Sequence, residues 1–475
     1  MKVYKLSLVF IVLSSVFSCS RDEVPNDVEI NNFVWKGLNA YYLWQENIPD
    51  LSDTRFSSDQ QLYNYLSGFD SPKTLFENLI YKKNVVDKWS WIADNYTTLE
   101  EALQGTSLTT GMEFEIIGYE DQSANMFGYV RYVNPGTDAK VKGVKRGMIF
   151  NEVNGVRLTK SNYRELLFSK TPSIIITLAD YNSGSPIATT NTISLTKDKY
   201  TENPIHISKT LNIDGKKIGY LMYNAFVSSF DDQLNQSFST FKSEGITDLI
   251  IDLRYNYGGF VKSAARLGSM ITGQFTNEIF AKQLWNNKYM NVVNPDFLID
   301  RFPSTLGNNT AINSLNLSRI YFITTASTAS ASELIINSLD PYIDVKTIGT
   351  KTRGKYVASI TLYDSPTFSS KNNINPNHNW AMQPIVSQTF NKDDKNQKEG
   401  IIPFIEIEED YGNLGNLGEI DEPLLQRTIQ LITTGSRSSR RGKIARKSLS
   451  NRLRVINNSK SRLPTYNNMY IGEPE

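Results

Sequence analysis

Cysteine and histidine are nearly missing from this chain: one Cys, Cys19, and two His, His206 and His378, in 475 residues. A single thiol forms no internal disulfide. A zinc site needs three or four N, S or O ligands, so no metal site is expected. His378 lies in Asn-Pro-Asn-His-Asn and His206 follows Pro204. Neither has a motif around it, which weakens a histidine-based triad. A dominant charge is lacking too. The formal net charge is +1, so no strong field draws the chain to nucleic acid. The one early apolar run, Leu6–Phe17, falls short of the roughly 20 residues of a membrane-spanning helix.

What the chain has is material for packed cores: 40 % hydrophobic residues, with 25 Tyr, 23 Phe and 6 Trp. Its length suits two or three domains. Lys2 and Lys5 precede the apolar run, which ends Ser15-Val-Phe-Ser-Cys19. This resembles a bacterial lipoprotein signal over residues 1–18, with Cys19 as the lipidated new N-terminus. An ordinary signal peptide with an incidental cysteine is the alternative. Lipidation implies a membrane-anchored protein of the bacterial cell envelope, an outer-membrane lipoprotein facing the periplasm or the surface. Ser20-Arg-Asp-Glu23 resembles the export signal of some Bacteroidota lipoproteins, and residues 19–28 read as a polar tether.

The spacing of Ile30, Phe33, Val34, Leu38, Tyr41, Tyr42 and Trp44 predicts an amphipathic helix. Further helical patterns at Asp59–Leu66, Ser71–Leu79 and Leu99–Leu103, interrupted by Pro49 and Pro72, predict a helical N-terminal domain over 29–104. Residues 105–200 alternate strand-like segments with turn signals: Glu113–Tyr119, Gly128–Val133, Met148–Val153 and Ser173–Ala179, with a short helix at Thr159–Phe168. Residues 201–434 read as α/β. Asp214-Gly215 marks a hairpin, Lys217–Tyr223 a strand and Phe230–Phe241 a helix. Thr247–Leu253 is apolar throughout its centre, as a strand covered on both faces requires. A glycine pair, Gly258 and Gly259, follows it, then a helix at Val261–Ile271.

The most informative stretch is Ser327-Thr-Ala-Ser-Ala-Ser-Glu333. An apolar strand, Arg319–Thr325, precedes it, and a helix begins near Glu333 and stops at Asp340-Pro341. Ser330 therefore sits where a strand turns into a helix. N–H groups there lack partners and favour developing negative charge. The next strand, Asp344–Ile348, completes a βαβ unit and returns Lys355 to the edge of the sheet that carries Ser330. A plain N-capping serine is the other reading of this turn.

Together these residues resemble the C-terminal processing peptidases, serine peptidases of family S41 with a Ser-Lys dyad. Ser330-Ala-Ser-Glu333 and Gly354-Lys355 match the family's two motifs at its interval of 25 residues. Asp252-Leu-Arg-Tyr-Asn-Tyr-Gly-Gly259 resembles its Asp-Leu-Arg-x-Asn-x-Gly-Gly block. Ala381-Met-Gln-Pro384 and Gly400-Ile-Ile-Pro403 resemble its closing segment. The resemblance implies Ser330 as nucleophile and Lys355 as general base. It implies an oxyanion hole from the N–H of Ala331 with that of Gly258 or Gly259, and no cofactor. Burial must bring the lysine from about 10.4 toward roughly 7–8 for it to serve as a base. Many members place Gln four residues after the lysine; here Ser359 stands there, a candidate orienter. Asp340 and Asp344 are further candidate helpers. Asp252 and Arg254 are expected to brace their loop.

Residues 105–200 resemble a PDZ domain, with Gly111-Met-Glu-Phe114 at the carboxylate-binding loop and Asn134-Pro-Gly-Thr-Asp-Ala139 at its centre. Met148 stands where the family has Asp. Such a domain adds an extended C-terminal peptide to its sheet edge; the alternative is a PDZ-shaped spacer with a closed groove. The expected fold is thus multi-domain α/β: helical N-terminal domain, PDZ-like β domain and peptidase core. The expected function is an endopeptidase taking proteins or peptides with unstructured C-termini, and the alternative is a non-catalytic peptide-binding envelope lipoprotein. Residues 435–475 include ten Lys or Arg and no acid between Ser436 and Leu463, and read as a disordered basic tail.

Overall fold

A computed structural model describes residues 24–436, 453, 455–463, 466 and 469–472. The expected signal peptide and Cys19 lie outside the described residues.

The central sheet runs in the order Ile205–Ile213, Lys216–Tyr223, Asp248–Asp252, Arg319–Thr324, Asp344–Gly349, Ile405–Glu406. The first pair is the antiparallel hairpin expected at Asp214-Gly215, and the remaining neighbours are parallel. Alternate residues feed opposite cores. Leu221, Tyr223, Leu249, Ile251 and Phe322 pack against the helices Asp231–Glu244, Val261–Thr272 and Ala331–Leu339. Tyr220, Met222, Ile250 and Ile323 meet the helix Pro423–Thr434 on the other face. Two covered faces explain why these strands read as unbroken apolar runs. Arg319–Thr324, its helix and Asp344–Gly349 form the predicted βαβ unit.

A second six-stranded sheet follows the order Gly259–Phe260, Met469–Tyr470, Val357–Ser359, Ile385–Phe390, Ile279–Trp285, Ile299–Arg301. The N-terminal helices, Glu29–Tyr41, Asp59–Leu66 and Pro72–Asn78, pack directly on it. Val34, Leu38, Leu66 and Leu75 share one core with Leu362, Met382 and Val386, and Trp91–Ala93 pairs with Ala381–Gln383. The helical segment expected as a domain of its own is thus joined to the peptidase segment by a common core. A chain reading could not see this, because an amphipathic stripe does not declare its partner.

The β-rich segment forms a sheet ordered Val455–Asn458, Met112–Gly118, Met126–Val133, Ile149–Val153, Ser173–Asp180, Ile187–Thr196, with Val156–Arg157 beside Ile149–Val153. The expected helix is shorter, Tyr163–Phe168. The first strand of this sheet comes from the expected disordered tail, and so does Met469–Tyr470. The described residues there are strand and turn rather than disordered; 437–452, 454, 464–465, 467–468 and 473–475 lie outside the described residues. Low hydrophobicity misled because strand addition uses backbone groups, which composition does not report.

Candidate active site

The helix expected from Glu333 begins at Ala331, and Ser330 is its N-cap. Ser330 has φ 66° and ψ −121°, a backbone conformation that a residue with a Cβ holds only where its surroundings impose it. Glu333 imposes it from within the first turn. Its Oε2 accepts the Ser330 N–H at 2.9 Å and the Lys355 N–H at 2.9 Å, so the two backbone nitrogens lie no farther apart than twice that distance. Its Oε1 accepts the Gly354 N–H at 2.7 Å and the Thr352 hydroxyl at 2.5 Å. One buried carboxylate therefore ties the serine turn to the lysine loop. Gly354 is required on that loop: at φ 86°, a Cβ would meet the Lys398 carbonyl at 2.6 Å.

The Ser330 side chain is fully buried. Its hydroxyl stands over the first helical turn as in a capping box, yet Oγ makes no well-formed hydrogen bond among the described residues. The direct serine–lysine hydrogen bond expected of a dyad is therefore not made in this state.

Lys355 is 1 % exposed. Burial lowers its pKa from 10.5 to about 7, against the opposing pull of the Asp87 and Glu333 carboxylates. The Trp89 ring lies 5.8 Å from its Nζ. Near neutrality a large share of this amine is uncharged, which a base requires.

The glycine pair is stitched to the serine turn through Asn256. The Asn256 carbonyl accepts the Ala329 N–H at 3.1 Å and the Ser332 hydroxyl at 3.2 Å, while its amide donates to the Tyr223 carbonyl at 2.8 Å. Its Oδ1 accepts the Gly258 N–H at 2.8 Å. That amide is spent inside the loop, which removes Gly258 as an oxyanion donor. Gly259 has φ 135°, and a Cβ there would lie 2.1 Å from the Phe226 carbonyl oxygen, so only glycine fits. At Ala331, the first helical residue, the N–H has no intrahelical acceptor.

Asp252 and Arg254 brace this loop as expected. Arg254 is fully buried, bonded to Asp252 through Nε at 3.0 Å and to both Glu422 oxygens at 2.7 and 2.8 Å. Tyr220 donates to Asp252 at 2.8 Å.

Asp340 and Asp344, the expected helpers, lie elsewhere. Asp340 is exposed at the helix C-terminus, and Asp344 pairs with Arg319 and Lys346. Neither belongs to the site. Each aspartate is near Ser330 in sequence, but the helix carries them to the opposite end of the sheet. His378 meets Asp364 at 3.0 Å, and His206 packs on the Tyr132 ring. Ser359 is buried, and its hydroxyl donates to the Met469 carbonyl at 3.3 Å. Of Gly111, Met112, Glu113 and Phe114, the last three lie within a strand rather than a loop. Phe114 carries its edge bonds: its N–H donates to Ser459 Oγ at 3.2 Å, and its carbonyl accepts the Ser459 N–H at 3.0 Å.

Sequence reasoning missed Asp87. This buried carboxylate accepts the Tyr42 hydroxyl at 2.9 Å and the N–H groups of Trp89 and Ser90 at 3.0 and 2.9 Å. It belongs to the N-terminal segment, and nothing in Asp87-Lys-Trp-Ser-Trp91 announces that it approaches Lys355. Gln383 stands within Ala381-Met-Gln-Pro384. It is buried, and donates to Thr361 Oγ1 at 3.1 Å while accepting from the Trp91 indole at 3.0 Å.

Comparison with known proteins gives this geometry a context. The family model described as Peptidase family S41 matches residues 217–407, and that of the Peptidase S41 N-terminal domain matches residues 29–91. The chloroplastic C-terminal processing peptidase of Tetradesmus obliquus is 24 % identical over 262 residues, 53 % of this chain and 51 % of that protein. A probable CtpA-like serine protease of Staphylococcus aureus is 23 % identical over 68 % of this chain and 61 % of its own length. The chain thus spans about half to three-fifths of these relatives. The crystal structure of a putative S41 protease from Bacteroides fragilis superposes with a TM-score of 0.65 at 23 % identity, covering 85 % of this chain and 97 % of that one; the fold is shared. With the N-terminal and peptidase models matched in sequence order along it, this chain belongs to peptidase family S41.

Proposed function

We propose that this chain is a serine endopeptidase in which Ser330 attacks a peptide carbonyl and Lys355 takes the hydroxyl proton. The attack forms a C–O bond to Ser330 Oγ. The carbonyl oxygen gains negative charge beside the N–H groups of Ala331 and Gly259 and the positive end of the Ala331–Leu339 helix. Collapse expels the amine, which takes the proton from the lysine. Water, deprotonated by Lys355, then attacks the acyl carbon; the C–O bond to Ser330 breaks and Oγ takes the proton back from Lys355. Glu333 and Asp87 act as positioning residues. Glu333 holds both motif loops on one carboxylate, and the two charges keep the amine's pKa near neutrality rather than lower.

The observation that carries this reading is the Glu333 carboxylate, bonded at once to the Ser330 and Lys355 amides beside a buried, easily neutralised lysine. The missing Oγ–Nζ hydrogen bond favours the second reading, a peptide-binding protein without catalysis. Active sites often tighten only with substrate bound, which favours the first.

We further propose that the Met112–Gly118 sheet edge is a PDZ-type surface that captures unstructured C-terminal segments of protein substrates as an added strand. Cys19 is proposed as a lipid anchor holding the protein at the cell envelope. Hydrolysis of casein by the chain and by Ser330→Ala tests the catalytic reading: cleavage lost in the variant supports it, and equal cleavage, or none by a folded chain in any form, sinks it. Incorporation of labelled palmitate, lost in Cys19→Ala, tests the anchor.

A further inference from the structure

The described residues of the C-terminal segment lie on the Met112–Gly118 edge, on Tyr257 and Arg353, and beside Gly259–Phe260. Val455–Asn458 pairs antiparallel with the outer edge of Met112–Gly118, Val455 opposite Ile117 and Asn458 opposite Glu115. Ser459 extends the pairing to Phe114, and its hydroxyl donates to Glu113. The edge on which a peptide would be added is therefore already filled.

The segment does not end there. Lys460 Nζ meets Glu202 at 2.7 Å, and Arg462 donates to the Phe168 carbonyl at 2.7 Å, turning the chain toward the cleft. Tyr466 then lies on Tyr257, ring centroids 4.7 Å apart, and its hydroxyl accepts from Arg353 at 3.0 Å. Tyr257 precedes the glycine pair and Arg353 precedes Lys355 by two residues, so one side chain spans both loops of the site. Tyr466 and Leu463 also wall the cleft of about 850 Å³ beside Trp89 and Gly354.

Met469–Tyr470 finally enters the second sheet between Gly259–Phe260 and Val357–Ser359, parallel to both. Met469, 1 % exposed, stands opposite Gly259 and accepts from the Ser359 hydroxyl. The Ile471 N–H donates to the Ser359 carbonyl at 3.0 Å, and the Tyr470 ring packs edge-on to Phe260 at 4.7 Å.

We infer that the described C-terminal residues, Val455–Leu463, Tyr466 and Met469–Ile471, act as an intramolecular ligand of the substrate track, an autoinhibitory strap that substrate must displace. The inference rests on the peptidase reading for its consequence but not for its docking. Strand addition at both ends and the Tyr466 bridge make it a specific occupant, since each end repeats the pairing that an extended peptide would use. With Met469 opposite Gly259, the Gly259–Phe260 edge is already paired and offers a second peptide no free strand there.

The test uses the full chain with Met469→Glu, which places a charge at the buried strand. Tyr466→Ala, on a half-buried ring, serves as a milder second variant. Casein hydrolysis is expected to rise at least tenfold in Met469→Glu and severalfold in Tyr466→Ala. Separately, a fluorescein-labelled synthetic peptide of residues 453–472 is titrated, by anisotropy, into Ser330→Ala chains with and without Tyr466→Ala. Binding only where the strap is loosened supports docking. Binding that ignores the strap variant, or no binding to either, overturns it. If the peptide binds as expected but no form hydrolyses casein, the strap stands and the peptidase reading fails. If native and strap variants hydrolyse casein equally and the peptide does not bind, the strap falls and the peptidase reading stands.

Discussion

Replacing Lys355 by Met is expected to abolish hydrolysis and, below neutral pH, to stabilise the protein. The folded chain holds this lysine at about 7, whereas the unfolded chain titrates it near its ordinary 10.5. The unfolded state therefore binds more protons between those two values, so stability rises with pH across that window. Below pH 7 both states carry the charge, and the folded state bears the whole burial penalty. At 1.36 kcal/mol per unit this is about 5 kcal/mol. A methionine of similar volume avoids it but forgoes the amine's polar and Trp89-ring contacts, for which about 1 kcal/mol is deducted. The net gain is roughly 4 kcal/mol at pH 6, shrinking as pH rises and gone by pH 10.5. Urea unfolding of parent and variant at pH 6, 8 and 10 reads it as a midpoint difference that narrows with pH. A variant no more stable at pH 6, or a gain independent of pH, would refute the claim that burial depresses this lysine.

Three further outcomes follow from the same geometry. The rate kcat/KM of the parent should fall about tenfold per pH unit below about 7 as Lys355 protonates; Asp87→Asn removes a charge that raises this pKa, so the limb should move to lower pH. A pH–rate profile in which the limb stays or moves upward counts against the Asp87 assignment. Arg254→Met leaves Asp252 and Glu422 buried without their cation, which should cost about 3–5 kcal/mol in urea unfolding. Gly259→Ala would bring a Cβ to 2.1 Å from the Phe226 carbonyl oxygen; because that neighbour is backbone, the loop must shift, so kcat should fall at least a hundredfold and the urea unfolding midpoint should fall with it, and a variant with the parent's kcat would count against the Gly259 donor.

The parallel strands were legible because both faces are covered, and Ser330 and Lys355 because their motifs flank one βαβ crossover. The start of the Ser330 helix was misjudged by two residues. Small residues carry no apolar period, and the positive φ of Ser330 depends on Glu333, whose four bonds arise only in the folded chain. Gly258 looked equivalent to Gly259 in sequence; the Asn256 side chain, two residues upstream, distinguishes them by capturing one amide. Asp87 and the tail strands were invisible for a shared reason. Each acts on the site across a long sequence separation, through burial or edge pairing, and neither leaves a local pattern.

The most direct test of the central claim is the site of a fluorophosphonate adduct, mapped by peptide mass after labelling the Tyr466→Ala chain at pH 8. The adduct is expected on Ser330, and absent from Lys355→Met under the same conditions. An adduct on another residue, or one on Ser330 that forms equally fast without the lysine, would contradict it.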